Sequence, residues 1–207
     1  MIIAIDGTTA SGKGTLAREV ARVYGLKRLD TGALYRAVAL AVLQAGADPH
    51  DADAAIAAAR NLDLEAIDEA LIRSGPVGAA ASVVSAHPEV RATLLAAQRA
   101  FASHPLGAVL DGRDIGTVIC PDAQVKLFVI ADLEVRAARR HRELLARGES
   151  VTITQVSEDI AARDARDAAR AVAPLRMAQD AHLLDTTALS IEEAVAAACR
   201  VIETVKP

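Results

Sequence analysis

The stretch 2-IIAIDGTTASGKGT-15 decides how the rest of the chain is read. Ile2 to Ile5 form an apolar run that fits a strand buried on both faces. A Gly-containing turn follows. From position 15 the residues TLAREVARVY put Leu16, Val20, Ala21 and Val23 at helical spacing, and Gly25 stops the pattern. Strand, Gly-rich turn and helix form a context in which the backbone of Gly7, Thr8, Thr9, Ala10, Ser11, Gly12, Lys13, Gly14 and Thr15 cradles an anion. Glycine leaves the N–H groups unobstructed, the helix start adds its dipole, and Lys13 supplies a point charge for a phosphate chain. The strict pattern has Ser or Thr directly after the Lys; here that place holds Gly14 and the hydroxyl arrives at Thr15. The alternative is a Gly-rich turn with an incidental Lys, and the strand–turn–helix context favours phosphate.

Outward from this stretch, strands are expected near 26–29, 108–111, 125–131 and 182–185. VKLFVIA (125–131) is nearly all apolar, with Asp132 placed to cap the next helix. Helices are expected at 33–45, within the Ala-rich 51–71, after Pro88, at 133–146, at 155–171 and from Ser190, where Glu193 completes a capping box. RSGPVG (73–78) reads as a break and GTVICPDA (116–123) as a loop. Alternating strands and helices imply an α/β fold with a five-stranded parallel sheet covered on both faces. Ligands in such folds sit beyond the C-terminal strand ends, where Asp6-Gly7, Asp30-Thr31-Gly32 and Asp111-Gly112-Arg113-Asp114 fall.

The 207 residues suffice for a core without staples, and 52% hydrophobic with 24% charged residues describe a globular chain. A net charge of -4 argues against nucleic acid or an acidic membrane as partner. Cys120 and Cys199 match neither a zinc pattern nor a disulfide framework, and no 18-residue apolar segment or signal peptide is read. A cytoplasmic setting is expected.

Four of the 23 basic residues are Lys and the rest are Arg. Arg36 follows Thr31 by five positions, and Arg113 shares a loop with Asp111 and Asp114. Arg163, Arg166, Asp167 and Arg170 fall on one face of a helix. Two readings stay open: a solvated, salt-bridged face that includes Asp164, or a cation stripe that meets a polyanion. The second suits phosphoryl transfer, in which charge spreads over the oxygens of the moving group. The five His show no metal-ligand spacing, and there is no nucleophile elbow.

With IDGTTASGKGT stand LDTGALYRAVAL, ASVVSAHPEVRATLLAAQRAF, DGRDIGTVICPDAQVKLFV, RDARDAARAVAPL and LLDTTALSIEEAV. Over nearly its whole length the chain resembles the bacterial cytidylate kinases, of the nucleoside monophosphate kinase family. The resemblance implies a single kinase domain over 1–207 with a P-loop NTPase-like three-layer fold. A shortened acceptor-binding insertion is expected at 46–105 and a lid at about 140–165. Family members carry a longer, β-rich insert where this chain has LEAIDEALIRSGPVG. Within the resemblance, Gly14 is the form these kinases commonly carry.

The same resemblance implies ATP as co-substrate, Mg2+ near Thr15, and phosphoryl transfer to CMP or dCMP by a monomer. Gly7 to Thr15 would hold the ATP phosphates, with Lys13 on them. Thr31 and Arg36 would contact the acceptor nucleotide, Arg36 at its phosphate; Ser82 and Arg91 would grip the cytosine edge. Arg113 and Asp114 would address the acceptor phosphate and sugar, Arg163 and Arg170 the phosphates, and Asp167 the sugar. On the helix after VKLFVIA, Arg139 or Arg140 would reach ATP as the lid closes, or else belong to a solvated face. Rival readings are a kinase of AMP, UMP, shikimate or a coenzyme precursor, and a non-catalytic nucleotide-binding protein.

Overall fold

The computed structural model describes residues 1–63 and 66–205; Leu64 and Glu65, inside the expected helical stretch 51–71, lie outside the described residues. In chain order the first elements are β1 (Ile2–Gly7), α1 (Lys13–Tyr24), β2 (Lys27–Asp30), α2 (Thr31–Gln44) and α3 (Ala52–Arg60). Then come α4 (Gly75–Val84), α5 (Pro88–Ala102), β3 (Ala108–Gly112), β4 (Val125–Ile130) and α6 (Leu133–Ala146). The chain finishes with α7 (Ile153–Ala169), β5 (His182–Asp185) and α8 (Ile191–Val205). Two compact units result: Met1–Leu29 with Phe101–Pro207, and Asp30–Ala100.

In the first unit the five strands stand in the order β2-β3-β1-β4-β5. β1 pairs in parallel with β3 and β4, and β4 with β5. The expected parallel α/β sheet is therefore the one observed. Ile3, Ala4 and Ile5 are all inaccessible, so β1 is buried on both faces and can carry an unbroken apolar run. Leu16, Ala17 and Val20 of α1 and Ala198 and Ile202 of α8 pack with Ile3, Ile5, Val109, Leu127 and Val129. Register puts Asp6 opposite Gly112 on one side and Phe128 on the other, so the C-terminal ends of β1, β3 and β4 finish together. α6 and α7 share a smaller core of their own: Ala137, Leu144, Val156 and Ile160.

The second unit is helical. Leu34, Val38 and Val42 of α2, Ile72, and Val77, Ala81 and Val84 of α4 are buried. α2 begins two residues before its expected start because the Asp30 carboxylate caps it, accepting from Ala33 N–H. RSGPVG is not a break throughout: α4 starts at Gly75 with Pro76 in its first turn, where a missing N–H costs nothing.

Other boundaries also shift. Asp132 occupies the N-cap position of α6, yet its side chain makes no capping bond. α7 starts at Ile153 with a full capping box, Thr152 accepting from Gln155 N–H while the Gln155 side chain accepts from Thr152 N–H. It ends at Ala169, so Arg170 lies just past the last turn. The expected loop 116–123 begins as a wide helical turn, Ile115–Ile119, with Ile119 N–H donating to Asp114 O. The Ser190–Glu193 box of α8 is formed as expected.

Candidate active site

At the end of β1 the chain turns at a residue that has no room for a side chain. Gly7 has φ +145°, and a Cβ there would lie 1.9 Å from the Val129 carbonyl oxygen of β4. The loop stays this close because Thr8 N–H donates to the same oxygen at 3.2 Å. Ala10 holds a left-handed φ of 59° although it is not glycine, so this backbone needs external support.

That support is visible carbonyl by carbonyl. Thr8 O accepts from the Ser11 hydroxyl at 3.0 Å and from Lys13 Nζ at 2.5 Å. Thr9 O accepts from Arg136 Nη1 at 3.0 Å, and Ser11 O from the Thr186 hydroxyl at 2.9 Å. Gly12 O takes the first helical bond, from Leu16 N–H. Every one of these oxygens is turned toward the scaffold. The first-turn amides of α1 have no intrahelical acceptor, and they carry the positive end of the helix dipole. The buried Thr8 hydroxyl has no hydrogen-bond partner among the described residues. With Thr8 and Thr9 N–H bonded to Val129 O and Asp164, it is the first-turn amides of α1, behind carbonyls that are tied back, that suit an anion.

Lys13 is buried. Burial and the nearby Arg113 charge push its pKa well below the usual lysine value, against the pull of Asp111, Asp164 and Asp6. An ammonium in that position gains from an arriving polyanion. Across from it, Asp111 at the end of β3 pairs with Arg28 at 3.0 Å. A Cβ at Gly14 would lie 3.4 Å from Arg28 Nη2 and 3.7 Å from Asp111 Oδ2. A methyl at Gly14 would thus touch this ion pair only at ordinary van der Waals distance. The Thr15 hydroxyl and Asp111 carboxylate are hard oxygen donors of the kind Mg2+ takes alongside phosphate oxygens, so these residues fit the ion.

Arg113, expected at the acceptor phosphate, is held at three points. Its Nε donates to Asp167 Oδ2 at 2.7 Å, its Nη1 to Gly112 O at 3.3 Å and its Nη2 to Thr9 Oγ1 at 3.0 Å. Asp167 is wholly inaccessible, and its other oxygen accepts from Arg170 Nη2 at 2.5 Å. Burial pushes the Asp167 pKa up, but the Arg113, Arg170 and Arg163 charges outweigh it and hold the carboxylate below its usual range. Arg163, Asp167 and Arg170 therefore form one charge cluster, while Arg166, expected on the same face, is exposed. Asp114 is buried at the start of the wide turn. That turn is pinned by Asp6, whose two oxygens accept from Ile115 N–H and Gly116 N–H, each at 2.8 Å.

On α6 the residue bonded to the loop is Arg136, while Arg139 and Arg140, one or the other of which is expected to reach ATP on closure, have other partners. Arg139 donates to Thr186 O at 2.7 Å and to the Thr186 hydroxyl at 3.2 Å. Arg140 pairs with Glu143 on the helix surface. Arg136 is buried against the loop. Asp164, for which spacing left a solvated face as one of two open readings, accepts from Thr9 N–H at 2.9 Å and from Arg136 Nη1 at 2.5 Å. Spacing could not find this pair, because its partner is a backbone amide 155 positions away in the chain.

The remaining expected residues belong to the helical unit. Arg36 pairs with Asp30 at 2.7 Å, and Thr31 is buried at the start of α2. Ser82 is buried on α4, with its carbonyl accepting from the Ser85 hydroxyl. The Arg91 guanidinium lies 5.4 Å above the Tyr35 ring and donates to Ser85 O at 3.2 Å. Its plane is thereby fixed. Among the described residues no helix is long and apolar enough to cross a membrane, and Cys120 and Cys199 are free thiols.

A family model described as cytidylate kinase matches residues 3–204. A cytidylate kinase of Rhodopseudomonas palustris is 58% identical over 206 residues, covering 100% of this chain and 97% of that protein. One of Xanthobacter autotrophicus is 59% identical over 203 residues, covering 98% and 97%. The crystal structure of an uncharacterized protein from Eubacterium ventriosum aligns with a TM-score of 0.57 at 13% identity, covering 99% of this chain and 98% of that one. At that identity the likeness concerns the fold alone.

Proposed function

The chain belongs to the cytidylate kinase family and is an ATP-dependent kinase of CMP or dCMP in pyrimidine nucleotide metabolism; from that premise we propose how its residues divide the work. Gly7 to Thr15 hold the ATP phosphates through amides, with Lys13 at the β- and γ-phosphates. Thr15 and Asp111 would hold Mg2+. When bound, the ion neutralises charge on the β- and γ-phosphate oxygens.

In the helical unit Arg36 takes the acceptor phosphate beside Thr31, and Ser82 and Arg91 take the cytosine edge. Arg113 joins the acceptor phosphate, Asp114 and Asp167 the sugar hydroxyls. An ionised phosphate oxygen of the acceptor attacks the γ-phosphorus. The bond from that phosphorus to the bridging oxygen breaks, and ADP leaves with the electron pair. No general base is needed, since the attacking oxygen carries no proton. Lys13, Arg113, Arg163 and Arg170 meet the charge on the moving group, so catalysis is alignment and electrostatics.

The observation that supports this division most is the reach of Arg113. It contacts Thr9 of the loop while Asp167 ties it to Arg170, and this supports a cation shared between acceptor phosphate and donor loop. Residues 46–105 would carry the acceptor-binding insertion. The segment of about 140–165 would be a lid that closes to exclude water and brings Arg139 and Arg140 to ATP. The proposed setting is the cytoplasm and the proposed state a monomer, with neither nucleic acid nor membrane as partner.

Acceptor profiling tests the reading. With ATP as donor, CMP and dCMP should be converted to diphosphates far faster than UMP or AMP. AMP outcompeting CMP would overturn it.

A further inference from the structure

Three separate bonds converge on Thr9, and two of them come from residues to which the transfer chemistry assigns no task. Asp164 Oδ1 accepts from Thr9 N–H at 2.9 Å. Arg136 Nη1 donates to Thr9 O at 3.0 Å and to Asp164 Oδ2 at 2.5 Å. Arg136 is itself anchored, through Nε, to Ala131 O at 2.8 Å. One ion pair therefore addresses both polar groups of a single loop residue. The third bond, from Arg113 to Thr9 Oγ1, links the same residue to the Asp167–Arg170 cluster.

The position of this clamp is what gives it meaning. Ala10, directly after Thr9, has the left-handed φ that a non-glycine residue adopts only when its surroundings impose it. Rotation about the bonds between Thr9 and Ala10 would relieve the strain and re-aim the amides that follow. Fixing both the N–H and the C=O of Thr9 blocks that rotation. A carboxylate beside an anion-binding loop is electrostatically unfavourable for ATP, so its presence needs a compensating role. Holding the loop in shape supplies one.

Asp164 also stands three positions from Asp167 on α7. The helix that bears Arg163 is thus pinned at two points on one face, to Thr9 by Asp164 and to Arg113 by Asp167.

We propose that Asp164, through Arg136 and Thr9, is a positioning residue that holds the phosphate loop in its ATP-binding shape and sets α7 against it. This rests on the assignment of the loop to ATP. The ion pair is a device for alignment, and neither of its members touches the reacting atoms.

The test compares Asp164→Ala and Asp164→Asn with the wild type. The Ala variant cannot accept from Thr9 N–H, whereas the Asn variant keeps an acceptor of the same reach. Steady-state kcat and KM for ATP and CMP are measured, with the urea midpoint and the affinity for a non-hydrolysable ATP analogue. D164A should lose roughly tenfold or more in kcat and in analogue affinity, with KM for CMP within about twofold of wild type. D164N should recover most of the loss. A D164A/R136A double variant should lose little beyond D164A, because both substitutions release one clamp.

Wild-type kcat and analogue affinity in D164A would overturn the proposal. So would a D164N no better than D164A, or a lowered urea midpoint with unchanged kinetics, the pattern of an ion pair that only stabilises. Analogue binding needs no acceptor. A wild-type protein inactive on CMP would therefore refute the acceptor assignment, while the clamp would still stand or fall on the analogue measurement.

Discussion

Replacing Asp6 with Asn should change how stability depends on pH, in a direction that the site dictates. Burial raises the Asp6 pKa most. The Gly116 and Ile115 amides oppose it, the Asp114 charge adds to it, Lys13 pulls against it, and the carboxyl ends near 6 against an ordinary 3.8. Between those values the folded protein keeps a proton that the unfolded chain has released. The associated stability is complete below pH 3.8 and is lost as pH rises through about 6. The difference of about two pKa units, at 1.36 kcal/mol each, makes the loss at most about 3 kcal/mol.

Urea unfolding of the wild type and D6N from pH 3.5 to 7.5 reads this directly. Asn does not titrate, so the stability of wild type relative to D6N should fall by about 3 kcal/mol across that range. Asp167 behaves in the opposite sense: its lowered pKa gives stability present above the unfolded value and lost as pH falls. It is common to both proteins and cancels in the difference. D6N should also leave one of the two amides facing a donor, at a pH-independent cost of about 1–3 kcal/mol. A stability difference that stays constant with pH, or shifts toward the wild type as pH rises, would refute the argument that burial governs Asp6.

Gly7→Ala should destroy ATP-dependent transfer and lower stability by about 3 kcal/mol or more, because the new methyl would meet the Val129 carbonyl at 1.9 Å. Gly14→Ala is its control: with an ordinary 3.4 Å contact to Arg28 it should stay within about 1 kcal/mol of wild type, and equal damage in both by thermal denaturation would show that local crowding does not decide. Arg163→Ala or Arg170→Ala should lower kcat by about a hundredfold or more while ATP-analogue affinity changes only a few-fold, and full activity in either would remove its assigned role.

Much of the fold was legible because it is written in short-range pattern. The apolar run of β1, the glycines and Lys13 after it, the run at 125–130 and the Ser190–Glu193 box each depend on neighbours within a few positions. Spacing likewise put Arg163 and Asp167 on one helix face. The missed boundaries have local causes too: the Asp30 cap at α2, the Thr152–Gln155 box at α7, and Pro76 inside a first turn that composition alone marked as a break.

What spacing cannot state is the partner that a face will meet. Arg136, Arg139 and Arg140 share one short segment, yet they end at the Thr9 carbonyl, at Thr186 and at the solvated Glu143. Asp164 and Arg166 are two residues apart, one on the phosphate loop and the other exposed. The sequence by itself determined that a strand, a Gly-rich loop and a helix would follow one another with Lys13 at the helix start, since those preferences are local. The tertiary structure decided which cations reach the loop, why Gly7 can carry no side chain, and how Thr9 is held. Each of those outcomes depends on strand order and helix docking across long stretches of chain, where the loss of water and the pairing of buried charges set the geometry.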